Sequence, residues 1–175
     1  MVDVITYTRF ISMGGNSMKL YIKQKVFSIG DKYDVYDEQG NLYYDVKSEL
    51  FTFMAQIHVN DTRGEELYYI KRKWSFGLAR YEIYKGPLVC AAIQQEFAFF
   101  RPKLSIQSEY GQFQIEGDFF DWNFAITKDG NVVGSVTKKW LAWSDTYELN
   151  IPAGSDSAFF ATLVIAIDNC LHNND

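Results

Sequence analysis

A closed antiparallel β-barrel of about twelve strands, wrapped around one buried hydrophobic C-terminal helix, is the mainly β fold that this 175-residue sequence predicts. Three features predict it. Aromatic residues make up 17% of the chain, as 14 Phe, 12 Tyr and 4 Trp, and such side chains suit the half-buried surface of a strand. Short runs of period-two alternation recur between turns carrying Gly and Asn, the pattern of hairpins. Near the C-terminus, one stretch is apolar on nearly every helical face and must be enclosed; a sheet that closes on itself encloses it and loses its own edges.

In chain order, residues 19–28 (KLYIKQKVFS) put Leu20, Ile22 and Val26 in one phase and Tyr21, Lys23, Lys25 and Phe27 in the other, a strand with one buried face. Residues 31–48 read as two strands around Glu38-Gln39-Gly40-Asn41, whose Gly supplies the positive φ of a tight turn. Residues 51–59 alternate strictly, with Phe51, Phe53, Ile57 and Val59 opposite Thr52, Met54, Gln56 and His58, and are expected as one strand of the wall. Residues 60–64 then turn the chain into residues 67–70. Residues 80–84 and 88–93 flank the turn Lys85-Gly86-Pro87, and residues 104–109, 112–116, 122–127, 132–137 and 146–151 complete the β series.

The helix is expected from Ser155 or Asp156, either of which can cap it, to about Leu171. Phe159 and Leu163 share one face with Ala166; Phe160, Val164 and Ile167 share the next, and Ile165 fills much of the remainder. Its apolar run over residues 158–167 rises about 15 Å against a hydrocarbon core of about 30 Å, so no transmembrane segment is expected and the helix becomes the plug of the barrel. Asp168 at its end opposes the helix dipole and calls for a partner such as Arg, Lys or a backbone donor.

Composition narrows the chemistry. Two histidines and two distant cysteines cannot supply a multi-ligand zinc site, and no cofactor is implied. Cys90 and Cys170 sit in apolar contexts, LVCAA and IDNCL, as buried hydrophobes rather than a disulfide, which fits a cytoplasmic protein. The net charge of −5 divides into 12 basic minus 11 acidic residues before residue 88 and 5 minus 11 after it. A general nucleic-acid binder is basic overall, so nucleic acid is not an expected partner and only a local patch can meet an anion. No GxGxxG, Walker loop, HExxH or GxSxG occurs. His58 is expected to face solvent without a catalytic partner, and Asp118 with Asp121 reads as turn chemistry. A binder is therefore expected rather than an enzyme, a pocket near His58 being the enzymatic alternative.

Residues 18–44, the hairpin FAITKDGNVVGSVTKKW and the ending TYELNIPAGSDSAFFATLVIAID resemble the LURP-one-related family, within the superfamily that includes the tubby C-terminal domain and the phospholipid scramblases. The chain looks like a small bacterial-type single-domain member. The resemblance covers residues 18–171, leaving a leader of residues 1–17 and a tail of residues 172–175, and it implies a twelve-stranded barrel around a hydrophobic helix. Tubby-type domains bind phosphoinositides through basic side chains, and scramblases are associated with calcium and lipid movement. Of the scramblase-like acidic segment only Asp145 and Asp156 remain, too few carboxylates for an ion that takes six to eight oxygens.

Two basic clusters, Lys71-Arg72-Lys73-Trp74 and Lys138-Lys139-Trp140, carry the lipid reading. Trp beside Lys or Arg suits a membrane headgroup region, and each cation near an anionic leaflet contributes about 1 kcal/mol. The sequence thus points to a non-enzymatic binding or scaffold domain, peripheral at the inner membrane surface, that meets anionic headgroups. A protein partner is the alternative, with an exposed aromatic patch as its signature.

Overall fold

The computed structural model describes residues 16–25, 31–96, 103–118, 121–141 and 144–172, with backbone alone at 31, 32, 140, 141, 144, 145 and 172. Of the expected first strand, Val26, Phe27 and Ser28 lie outside the described residues, as does the leader before Asn16. Twelve strands follow one another: β1 (Ser17–Gln24), β2 (Asp31–Tyr36), β3 (Leu42–Ser48), β4 (Gln56–Asn60), β5 (Glu66–Lys73), β6 (Arg80–Lys85), β7 (Leu88–Glu96), β8 (Lys103–Ser108), β9 (Gly111–Asp118), β10 (Asn123–Lys128), β11 (Asn131–Leu141) and β12 (Ser144–Pro152). Each pairs antiparallel with its sequence neighbours, and β1 pairs with β12 from Ser17↔Pro152 to Lys23↔Thr146, so the sheet closes.

One phase of each strand lines the interior. Leu20 and Ile22 on β1, Val35 on β2, Ile57 and Val59 on β4, Ile70 on β5 and Leu149 and Ile151 on β12 are wholly buried. Their neighbours in the other phase face water, which is the alternation that the sequence carried.

The helix α1 (Ser157–His172) runs up the lumen. Asp156 caps it, its Oδ1 accepting the Phe159 N–H at 2.9 Å. Every residue from 158 to 170 is buried, including Phe159, Phe160, Leu163, Val164, Ile165 and Ile167. The Phe159 ring packs at 4.9 Å from Tyr110, 5.7 Å from Phe113 and 6.0 Å from Tyr68. No helix among the described residues is long and apolar enough to cross a membrane.

Asp168 is 3% exposed near the end of this plug. Two tyrosine hydroxyls, which the sequence reading did not anticipate, donate to it: Tyr33 at 2.5 Å from β2 and Tyr147 at 3.1 Å from β12. Asn169 donates to the Tyr33 oxygen at 3.0 Å and to the Ile165 carbonyl at 2.8 Å. Burial and the adjacent Asp168 push the Tyr33 phenol well above its ordinary pKa, so it stays a donor. The C-terminal part of α1 is thereby tied to β2 and β12, the two strands that flank β1.

The two ends of the barrel differ. At one end the connections are tight: Asp37 N–H donates to Asn41 O at 3.0 Å and Asp61 N–H to Glu65 O at 2.9 Å, with Gly40 and Gly64 taking the positive φ that each turn requires. The helix enters from this turn end. Longer connections, among them residues 49–55 and 74–79, gather at the opposite end, where α1 finishes.

Candidate functional site

The first basic cluster closes β5 at the loop end. Ile70 faces the core, so alternation turns Lys71 and Lys73 outward, while Arg72, opposite the wholly buried Tyr81, takes the inward phase at the mouth of the lumen. The Arg72 charge reaches the Cys170 thiol on the last turn of α1. Lys73 Nζ stands 3.4 Å and an Arg80 guanidinium nitrogen 3.1 Å from the Glu82 carboxylate. Burial works to raise the Glu82 pKa, but the Tyr84 hydroxyl and the two cations outweigh it and hold the carboxyl below its usual range. Residues 71 to 82 hold four cations, Lys71, Arg72, Lys73 and Arg80, against that one acid.

Beyond β5 the chain exposes Trp74 to 69% and Phe76 to 87%, with their rings edge to face at 5.0 Å. The neighbouring connection between β3 and β4 exposes Leu50, and its Phe51 and Phe53 are fully in solvent. This overturns the expectation of a wall strand over residues 51–59: β4 begins only at Gln56. Phe51 has φ 60°, a left-handed conformation that breaks a pleat. The two connections are joined, because Arg72 N–H donates to Ala55 O at 2.9 Å. Between them lies a cavity of about 290 Å³, lined by Phe53, Met54, Arg72, Lys73, Trp74 and residues 75, 77, 78 and 79.

The second cluster, Lys138 and Lys139 near the end of β11, shares the loop end but not the wall. Five strands separate β5 from β11 in either direction around a ring of twelve, so the two clusters stand on opposite sides of one rim. Lys138 is opposite Tyr147 in the inward phase, and Lys139 pairs with Glu148 at 3.1 Å. The Trp140 side chain lies outside the described residues. Lys25 pairs with Asp34 at 2.9 Å.

His58 sits on the outer face of β4, with its Nδ1 2.5 Å from Glu66 and its Nε2 3.0 Å from Glu49, and its ring lies 4.8 Å from that of Tyr69. Burial works to lower its pKa, but the bonds to Glu66 and Glu49 win and raise it. It does not line the cavity. Asp118 accepts the Asp121 N–H at 3.3 Å, a turn contact. Cys90 and Cys170 are both buried and unbridged, and burial pushes their thiols up to about 11 and about 12.

What the sequence reading missed is the aromatic loop pair. Trp74-Ser75-Phe76-Gly77 places turn formers between two large rings, a signal of a loop rather than a strand; Phe51 and Phe53 alternate like any wall residue and gave no such sign.

Comparison with known proteins agrees with this architecture. The profile of the family described as LURP-one-related matches residues 18–168. An uncharacterized Bacillus subtilis protein, YxjI, is 31% identical over 158 residues, spanning 90% of this chain and 96% of its own. The crystal structure of an Arabidopsis thaliana protein superposes with a TM-score of 0.63 at 17% identity, over 87% of this chain and 90% of that one.

Proposed function

The chain belongs to the LURP-one-related family, and from that membership and the geometry of its loop end we propose that it is a non-catalytic binding domain that docks on anionic phospholipid headgroups. One observation carries the reading: Leu50, Phe51, Phe53, Trp74 and Phe76 project into solvent from two adjoining connections, beside Lys71, Arg72 and Lys73. Large exposed rings flanked by Lys and Arg match the two layers of a membrane interface, acyl boundary and headgroup. The outward pair Lys71 and Lys73 near an anionic leaflet contributes about 2 kcal/mol, and the outward Lys139 raises this to about 3 kcal/mol where a flat surface meets both sides of the rim. A ring that leaves water fully gains about 1.5–3 kcal/mol, so four rings supply an apolar contribution at least as large. Such a module works at the cytoplasmic leaflet, where anionic lipid is concentrated.

Vesicle co-sedimentation tests the reading. The wild type is expected to bind phosphatidylserine-containing vesicles and to bind neutral phosphatidylcholine vesicles at least tenfold more weakly. The variant Phe51→Ala/Phe53→Ala/Trp74→Ala/Phe76→Ala changes only exposed side chains and is expected to lose binding to both. Lys71→Gln/Lys73→Gln is expected to lose the preference for anionic lipid. Equal recovery of wild type and both variants refutes the proposal and leaves a protein partner as the occupant of the aromatic patch.

A further inference from the structure

His58 joins the outer wall to the stem of an aromatic loop. Its Nδ1 lies 2.5 Å from Glu66 on β5, and its Nε2 lies 3.0 Å from Glu49, the residue that leads into Leu50, Phe51 and Phe53. A carboxylate at each nitrogen fixes the protonation state on geometry alone. Only an imidazolium has an N–H at both positions; the neutral ring has one, and its bare nitrogen then faces a carboxylate oxygen, lone pair against lone pair. The other charged and titratable groups about the ring are Tyr69, 4.8 Å away with Tyr84 beyond it, and Lys47, opposite on β3 and paired with Asp45 at 2.7 Å.

When the proton leaves, one acid must let go. Glu66 belongs to β5, next to the pair it forms with Asn60, and makes the shorter contact. Glu49 stands just beyond the end of β3, with its side chain 40% exposed and the longer contact, so it is the one released. Its destination follows from the ladder. Glu49 N–H donates to Gln56 O at 2.9 Å, and Gln56 is opposite Lys71, so Glu49, Gln56 and Lys71 form one cross-strand row on the outer face. Two strand spacings of ~4.8 Å separate its ends, a gap that an extended Glu and an extended Lys close together. Among the described residues Lys71 has no ion-pair partner.

We propose that His58 is an acid-sensing latch: protonated, it holds Glu49 away from Lys71 and leaves that cation to an external anionic group; deprotonated, it releases Glu49 to neutralise Lys71. The latch rests on the docking reading for the identity of that anion and adds its regulation, because docking on an anionic leaflet is then tighter in acid. Burial lowers the pKa of the ring, but the bonds to Glu66 and Glu49 outweigh it, so the switch lies above the ordinary value of about 6.5. Glu49 also reaches the Tyr69 phenol, whose pKa is raised first by burial and next by that carboxylate, so the acid already lies along the row toward β5.

Co-sedimentation with phosphatidylglycerol vesicles, whose phosphodiester keeps its charge throughout, tests the proposal at about pH 6 and about pH 9, on either side of the switch. The wild type is expected to bind about fivefold more weakly at the higher pH, the worth of one cation near an anionic leaflet. The two arms of the latch fail in opposite directions: His58→Val is expected to bind at the weak level at both pH values, and Glu49→Gln at the strong level at both. Vesicle binding by the wild type that is equal at the two pH values overturns the proposal, as does a pH step undiminished in either variant. NMR follows the same latch without vesicles: the Lys71 ε-methylene signals are expected to move with the midpoint of the His58 ring, and that midpoint to fall in Glu49→Gln. Lys71 signals that ignore the midpoint overturn the latch. Signals that follow it in a protein that binds no vesicle uphold the latch and refute the docking reading instead.

Discussion

Phe53→Ala and Phe159→Ala delete the same side chain from the two places where this fold puts phenylalanine. Phe53 is fully exposed in the connection before β4, so truncation removes no buried area and leaves no cavity; stability is expected to change by no more than ~0.5 kcal/mol. Phe159 is 2% exposed inside the barrel and packs on Tyr68, Tyr110 and Phe113, each on a different strand or turn. A closed wall relaxes little around a lost ring, and the expected cost is ~3–5 kcal/mol, a fall in Tm of roughly 6–20 °C at ~2–4 °C per kcal/mol for a domain of this size. Urea unfolding followed by far-UV circular dichroism gives both values, with an unchanged slope showing that the compactness of the end states is the same. If Phe53→Ala costs more than ~1.5 kcal/mol, residues 51–55 belong to the wall and the aromatic rim does not exist. If Phe159→Ala costs less than ~1 kcal/mol, α1 is not the plug.

The remaining predictions concern polar anchors. Asp168→Ala removes the acceptor of the buried Tyr33 and Tyr147 hydroxyls, and a loss of ~2–4 kcal/mol is expected in the same unfolding assay. Asp156→Ala removes the cap of α1 and the acceptor of the Tyr68 hydroxyl, with an expected loss of at least ~1 kcal/mol; Asp156→Asn recovers most of the capping part. Because the folded pKa of His58 is raised, its pairing with Glu66 and Glu49 stabilises fully below the unfolded value near pH 6.5 and fades as pH rises through the folded value. The effect is expected to be no more than ~1 kcal/mol at this part-exposed site, to vanish in His58→Gln, and to be visible as an upward-shifted ring titration by NMR.

Most of the architecture was legible because a barrel wall obeys one rule along its whole length. Alternation located Leu20 and Ile22, and Ile57 and Val59, on the inner face, and the all-round apolar pattern identified α1 as enclosed. The same rule failed at Phe51 and Phe53, because period two records spacing and not pairing: a loop with rings at alternate positions is indistinguishable in sequence from a strand. It also gave no view of distance. Lys71-Arg72-Lys73 and Lys138-Lys139 look alike in sequence, and only the order of strands around the ring sets them on opposite walls. The partners of Asp168 were hidden for a related reason, since Tyr33 and Tyr147 lie 135 and 21 residues away and each reads as an ordinary wall aromatic.

Parity along β5 and β11 divides the cations of the rim by task. Arg72 and Lys138 take the inward phase, opposite the buried Tyr81 and Tyr147, at the mouth where α1 ends. The last carbonyls of a helix carry partial negative charge, so cations there stabilise the plug. Lys71 and Lys73 take the outward phase beside Trp74, where no helix terminus competes for them. Replacing a whole cluster would therefore mix two effects, loss of the fold's own electrostatics and loss of an external anion's. Replacing the outward pair alone separates them: Lys71→Gln/Lys73→Gln leaves Glu82 its Arg80 contact at 3.1 Å, so the wall keeps its ion pair while the outer surface beside Trp74 loses two charges. A change in vesicle binding by that variant is then attributable to the surface and not to the barrel.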